Sequence, residues 1–250
     1  MTLASKHHWP YPFWVAHRGA GTLAPENTLA AFRKGAEHGY RMFECDAKLS
    51  ADDVVFLMHD ATLQRTTNGQ GTGGDLNWKE LSQLDAGSWH SRSYAGEPLA
   101  TLANVSQFCI RNHYFLNIEI KPTPGLELKT GELVAKEAAH IWQNEKVPPL
   151  LTSFQVESLK GALKAAPHLP RGLLLHTLPE GWLETAQSLA CSAVVCHYAL
   201  WTPDMVQAAH QAGLKCLSYT VNDEWAAQHL LNLGTDGIIT DRVDLFSPAA

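Results

Sequence analysis

The chain has 250 residues, 45% of them hydrophobic, with a formal net charge of −6. That length suits one α/β barrel with a large core, and the mild acidity excludes the basic footprint of a nucleic-acid binder. Five cysteines at irregular spacings, none in a CxxC, exclude a disulfide framework and a structural zinc site.

Residues 1–13 carry neither the apolar segment nor the small-residue cleavage pattern of a secretory leader. No run reaches membrane-spanning length. The expected setting is the reducing cytoplasm, away from membranes, and His7-His8 are read as part of a solvated tail. Residues 13–16 form a short first strand that ends at His17. Gly19, Gly21 and Pro25 make a loop, and a helix runs from Thr28, its N-cap, to about His38 before Gly39 ends it. Residues 42–49 are the next strand, 50–53 a turn, and 54–58 a further strand ending at His59-Asp60.

Residues 60–98 change character. They are rich in Gly, Thr, Asn, Ser and Trp, with a brief helical piece near 78–84. A long stretch of this kind inside a compact domain is usually functional. It reads as a small inserted subdomain over the site, within one catalytic domain spanning residues 1–250. Trp78, Trp89 and Tyr94 fit the subdomain's core.

From residue 99 the rhythm is regular. Helices at 102–112, 131–144, 156–166, 182–189, 204–212 and 223–233 each precede a strand. Those strands are 114–120, 150–153, 171–175, 193–196, 214–219 and 237–240. Such alternation is the signature of a parallel α/β fold, and short apolar strands are those covered on both faces. Nine strands are one too many for an eight-stranded barrel. Residues 49–58 therefore form a hairpin arm above the barrel, whose return limb brings His59 to the rim. An open doubly wound sheet is disfavoured, because no glycine-rich phosphate loop follows the first strand.

In a barrel the chemistry sits at the C-terminal strand ends. His17 and Arg18, Glu44 and Asp46, and Glu119 and Lys121 all fall there, as do Phe154, His197, Asn222 and Asp241. Glu44 and Asp46 alternate, so they share a face, and Cys45 between them turns outward into the helix layer. Carboxylates in apolar strands are costly unless paired or bound to a cation. Glu44, Asp46 and Glu119 offer hard oxygen ligands, which suit Mg²⁺, Ca²⁺ or Mn²⁺ rather than zinc. Ion pairing with Arg or Lys is the alternative for any one of them; three together favour the metal. His17 and His59, each ending an apolar strand, suit general acid and base roles. Arg18 and Lys121 suit a phosphoryl group or the neutralisation of the acidic cluster.

These residues carry a resemblance. HRG at 17–19, PENT at 25–28, ExD at 44–46, HD at 59–60 and EIK at 119–121 resemble, in order and spacing, the glycerophosphodiester phosphodiesterases. The resemblance is closest to compact cytosolic bacterial members that accompany glycerol-phosphate uptake. Residues 85–89, 170–175 and 219–222 share it. It implies a distorted (β/α)₈ TIM barrel with an insertion after His59-Asp60. It also implies one divalent cation on Glu44, Asp46 and Glu119, and His17 and His59 as the acid/base pair. Arg18 and Lys121 would lie near the phosphate. The implied substrate is a small glycerophosphodiester, split into sn-glycerol 3-phosphate and an alcohol. Attack by the glycerol 2-hydroxyl and attack by water both stay open. Family members often carry Trp before the TVN stretch; Tyr219 stands there in this chain, leaving an aromatic face for the glycerol carbons. A homodimer is compatible with this reading.

Overall fold

The computed structural model of the chain describes residues 9–246 and 248, so the reading of His7-His8 lies outside the described residues. β1 (Trp14–Ala16) leads through a tight turn at His17–Gly19 to α1 (Leu29–Glu37). β2 (Met42–Leu49) turns back into β3 (Val55–Leu57), and the following segment holds the short α2 (Trp78–Leu81). Strict alternation follows, with α3 (Leu102–Arg111), β4 (Phe115–Ile120), α4 (Glu127–Ile141), β5 (Leu150–Ser153), α5 (Val156–Ala165) and β6 (Arg171–Leu175). It continues through α6 (Trp182–Ser188), β7 (Ala193–His197), α7 (Pro203–Gln211), β8 (Lys215–Tyr219), α8 (Glu224–Leu233) and β9 (Gly237–Thr240).

Eight of these strands, in the order β1-β9-β8-β7-β6-β5-β4-β2, pair in parallel. β1 also pairs with β2, matching Val15 to Met42 and Ala16 to Phe43, and so closes the barrel. That closure rules out the open sheet. β3 lies antiparallel on the far end of β2, with Ala47 opposite Leu57 and Leu49 opposite Val55. It is the ninth strand, outside the ring. The Met58 N–H continues the ladder to the Asp46 carbonyl at 3.0 Å, which returns His59 to the rim.

Alternation along β2 divides its side chains. Phe43, Cys45 and Ala47 pack outward in the core shared with Phe32, Val105 and Cys109 of α1 and α3. Met42 points inward, where it joins Val15, Leu150, Leu174, Val195, Leu217 and Ile239. Tyr11 packs against this inner core, and its hydroxyl donates to the Pro148 carbonyl at 2.8 Å. The barrel interior is thus apolar at the N-terminal end of the strands, and its polar side chains gather at the other end. The five cysteines carry no disulfide.

Helix starts follow their caps. Thr28, Thr202 and Asp223 each accept a backbone N–H of the helix they open, and Pro203 occupies the first turn of α7. α4 differs from the expected start at Gly131 and begins a turn earlier. Gly125, at φ +88, turns the chain, and its N–H donates to Glu127 Oε1 at 3.0 Å. Gly131 is needed inside the helix for another reason. A Cβ there would collide with the Ser158 carbonyl of α5, and one at Gly161 would collide with the Leu128 carbonyl of α4. The two backbones touch at this crossing.

Residues 59–98 gather around Phe56, Met58, Leu63, Leu81, Ala86 and Leu99. The three expected core aromatics of this segment divide. The Trp78 ring packs 6.3 Å from Phe56, and Tyr94 lies against the main core. Trp89 is 40% exposed, with its indole N–H donating to the Ala86 carbonyl, so its place in that core is corrected.

Gly161→Ala should overpack the α4–α5 crossing and cost about 1–3 kcal/mol. A urea titration would register this as a lower midpoint with an unchanged slope.

Candidate active site

The first motif sits in a strained turn. Arg18 adopts φ 49 and ψ 30, and Asn27 adopts φ 61. Left-handed backbone at non-glycine residues costs about 1–3 kcal/mol each and persists where surroundings over-determine it. Here the reasons are visible. The turned Arg18 N–H donates to Glu44 Oε2 at 3.0 Å. Asn27 grips Asp46 twice, donating from Nδ2 to Oδ2 at 2.8 Å and accepting the Asp46 N–H at 3.0 Å. Gly19 must lack a side chain, since a Cβ there would press within 2.9 Å of the Phe32 backbone on α1.

Glu44, Asp46 and Glu119 converge. Their nearest carboxylate oxygens lie within 4.8 Å of one another. Asp46 and Glu119 are register partners on β2 and β4. Lys121 Nζ donates to Glu119 Oε1 at 3.0 Å and lies 3.9 Å from Asp46 Oδ1. Arg18 Nε lies 3.3 Å from Asp46 Oδ2. Glu44 Oε1 and Asp46 Oδ1 are nevertheless buried with no hydrogen-bond partner. Burial and the Asp46 charge push the Glu44 carboxyl up to about 8, and burial and Asp46 also raise Glu119. Burial opposes ionisation of Asp46 as well, but Arg18, His59 and Lys121 outweigh it and hold that carboxyl below its ordinary value.

Both histidines are oriented by carboxylates. His17 Nδ1 meets Asp241 Oδ1 at 2.6 Å, and Asn222 braces Asp241 with bonds of 2.8 and 2.9 Å. His17 Nε2 then faces Glu44 Oε2 at 3.8 Å. Burial disfavours the imidazolium, but Asp241 and Glu44 outweigh it and raise the His17 pKa. His59 Nδ1 meets Asp60 Oδ1 at 2.8 Å. Its pKa is lowered, by burial first and by the Arg18 and Lys121 charges. The two imidazoles are thus biased in opposite directions.

His17, Arg18, Glu44, Asp46, Glu119 and Lys121 form one contact network. His59 joins it through Asp60, Arg65, Glu26 and Arg18. Tyr219 stands beside it. Its hydroxyl donates to the Leu175 carbonyl at 3.1 Å, and its ring packs at 88° to Phe154, over which Lys121 lies. From the sequence, Asp241 and Asn222 stand at the rim without a role, Glu26 and Asn27 enter only within the PENT motif, and Lys48 and Arg65 are missed. Lys48 is buried, donates to the Lys121 carbonyl at 3.1 Å, and is pushed down to about 8 by burial. The alternation Asp46, Lys48 was the available signal for it. A second cluster, His210, Cys216 and Asp236, lies at the N-terminal strand ends. There both Asp236 oxygens already accept from His210, Lys215 and the Cys216 N–H, which is the pattern of a satisfied ion network.

A closed parallel barrel with carboxylates, oriented histidines and two cations at its C-terminal mouth is laid out for acid–base chemistry on an anionic substrate. The chain belongs to the Glycerophosphoryl diester phosphodiesterase family, whose profile matches residues 17–245. It is therefore a member of an enzyme family. It is 34% identical over 232 residues to a glycerophosphodiester phosphodiesterase of Caldanaerobacter subterraneus, covering 91% of this chain and 93% of that one. It is 31% identical over 250 residues to a glycerophosphodiester phosphodiesterase of Bacillus subtilis, covering 93% of this chain and 84% of that one. Among solved structures it is similar to an Oleispira antarctica phosphodiesterase in complex with the product sn-glycerol-3-phosphate. That pair superposes with a TM-score of 0.88 at 32% identity, covering 96% of this chain and 97% of the other. Among the described residues, no helix is long and apolar enough to cross a membrane.

Burial and the neighbouring Asp46 charge raise the Glu44 carboxyl from 4.5 to about 8 in the cation-free chain. In the absence of a divalent cation, stability should therefore fall as pH rises between those values. Glu44→Gln should reduce that fall, leaving the share due to the raised Glu119 and His17, and stabilise the cation-free protein at pH 8 by on the order of a few kcal/mol. Thermal melts in EDTA from pH 5 to 9 would register both effects.

Proposed function

We propose that this enzyme hydrolyses glycerophosphodiesters to sn-glycerol 3-phosphate and an alcohol. In this reading a divalent cation is held by Glu44, Asp46 and Glu119, and His17 and His59 move the protons. The observation that carries it is the pair of buried, unpartnered oxygens, Glu44 Oε1 and Asp46 Oδ1, within a converging carboxylate trio that is accompanied by two carboxylate-oriented histidines. Unpartnered buried oxygens are costly, and an all-carboxylate donor set suits Mg²⁺, Ca²⁺ or Mn²⁺. When bound, such a cation supplies Lewis-acid polarisation of the phosphoryl oxygens.

The chain's own residues do the rest. Arg18 and Lys121 bring two positive charges to the mouth, where they attract the phosphodiester anion and offset charge that develops on its oxygens. Asp241 and Asp60 fix the tautomers of His17 and His59 by engaging each Nδ1, leaving each Nε2 for proton transfer. One imidazole takes the proton of the attacking oxygen, from water or from the glycerol 2-hydroxyl, as it bonds to phosphorus, and the other protonates the departing alcohol. After 2-hydroxyl attack the same pair, with roles exchanged, adds water across the cyclic phosphate to release sn-glycerol 3-phosphate. Tyr219 and Phe154 offer an apolar wall for the carbon skeleton of the glycerol.

The test is release of sn-glycerol 3-phosphate from glycerophosphocholine. EDTA should abolish it, and Mg²⁺, Mn²⁺ or Ca²⁺ should restore it. A folded sample with no turnover in any of the three would refute the substrate class or the cation site. His17→Ala and His59→Ala should each lower kcat by about 10²–10⁴-fold while leaving the thermal midpoint near that of the parent. Near-parental kcat in either variant would remove that histidine from the mechanism.

A further inference from the structure

We propose that Arg65 is a positioning residue for this reaction: by holding Asp60 and Glu26 in one guanidinium fork, it sets where the His59 imidazole stands relative to Arg18 and Asp46. The inference rests on the reading of His59 as a proton-transfer group.

Arg65 lies in the irregular segment after β3, five residues past Asp60, and its side chain is 43% exposed. On one edge of the guanidinium, Nε donates to Asp60 Oδ2 at 2.7 Å and Nη2 to Asp60 Oδ1 at 3.0 Å. On another edge, Nη1 donates to Glu26 Oε2 and Nη2 to Glu26 Oε1, both at 2.8 Å. Both carboxylates are thus gripped at two oxygens, a geometry that only a planar fork provides.

Each gripped carboxylate reaches onward into the site. Asp60 Oδ1 also meets His59 Nδ1 at 2.8 Å. Glu26 Oε1 also accepts from Arg18 Nη1 at 2.9 Å, and Arg18 Nε lies 3.3 Å from Asp46 Oδ2. The chain of contacts therefore runs from the imidazole to the carboxylate cluster, and it crosses between two separate loops at Arg65. Glu26 belongs to the loop between β1 and α1, and Asp60 to the exit of β3. Without the fork these two loops would present like charges to each other. Isolated half-exposed ion pairs contribute little stability, whereas a bidentate arginine in a network of charges contributes modestly. Placement and a small share of stability are therefore both expected of Arg65, and Arg65→Lys, which keeps the charge, separates them.

Arg65→Lys keeps the charge and loses the fork, since an ammonium donates from a single point. We would measure kcat and KM on glycerophosphocholine, and the thermal midpoint, for the parent, R65K, H59A and R65K/H59A. A misplaced catalytic group costs up to about 10²-fold, so R65K should lower kcat roughly 30- to 100-fold. KM should move less than about threefold and the midpoint should stay close to the parent's. In the H59A background, where no imidazole is left to misplace, R65K should cost less than about threefold. An equal loss in both backgrounds, or full kcat in R65K, would overturn the proposal. Near-parental kcat in H59A would instead remove the reading on which it stands, and that outcome is visible without R65K. Should R65K fail to fold, Arg65→Ala with added guanidinium ion supplies a second test. Partial recovery of kcat in R65A, absent in R65A/H59A, would support the fork; no recovery would sink it.

Discussion

Three carboxylates forced together at the barrel mouth are the condition to which the rest of the site answers. Glu44, Asp46 and Glu119 stand on neighbouring strands because β2 and β4 are paired with Asp46 opposite Glu119. Within 4.8 Å of one another, two unit charges would repel by at least about 3 kcal/mol at an effective dielectric constant near 20. Lys121, Arg18, Asn27 and the Arg18 backbone N–H all lean on this cluster. The left-handed backbone at Arg18 and Asn27 is part of the same response, since each brings a donor to a carboxylate. The apolar lower half of the barrel makes such frustration tolerable. Val15, Met42, Val195, Leu217 and Ile239 hold the strands together below the charges.

Much of the fold was legible because parallel strands covered on both faces read as short apolar runs separated by helices. The ninth strand could be assigned to a hairpin by counting alone, and β3 lies where that count requires. Glu44 and Asp46 could be placed on one face from a period of two. What stayed hidden has a common cause: periodicity reports faces, not loop geometry. Gly131 looked like a helix boundary, yet it is an interior glycine that admits the α5 backbone. Trp89 looked like a core aromatic, but composition cannot tell which indole of an irregular segment faces out. Arg65 and Asn27 gave no periodic signal, because their partners come from other loops. Lys48 was the exception, readable from its alternation with Asp46 and overlooked.

The opposite bias of the two histidines also follows from placement. Both are carboxylate-oriented, so the orienting group does not distinguish them. His17 lies deeper and faces Glu44 as well as Asp241, whereas His59 feels the Arg18 and Lys121 charges as it returns along the hairpin. One strand that continues past the barrel, β2, therefore does two things. It carries two of the three carboxylates, and it supports the antiparallel limb that delivers the second histidine.

The pairing of His17 with Asp241 spans 224 positions, from the end of β1 to the residue after β9. β9 enters between β1 and β8, so the same docking event that completes the barrel wall also completes this dyad. A ribosome exposes the histidine long before its carboxylate is made. An unfinished chain, or one cut before the last strand, holds the motifs of the first half without the partner that orients the imidazole. On the proposed role of His17, competence for turnover arrives only with the final strand, which makes activity a direct report that the whole circuit of the barrel has been closed.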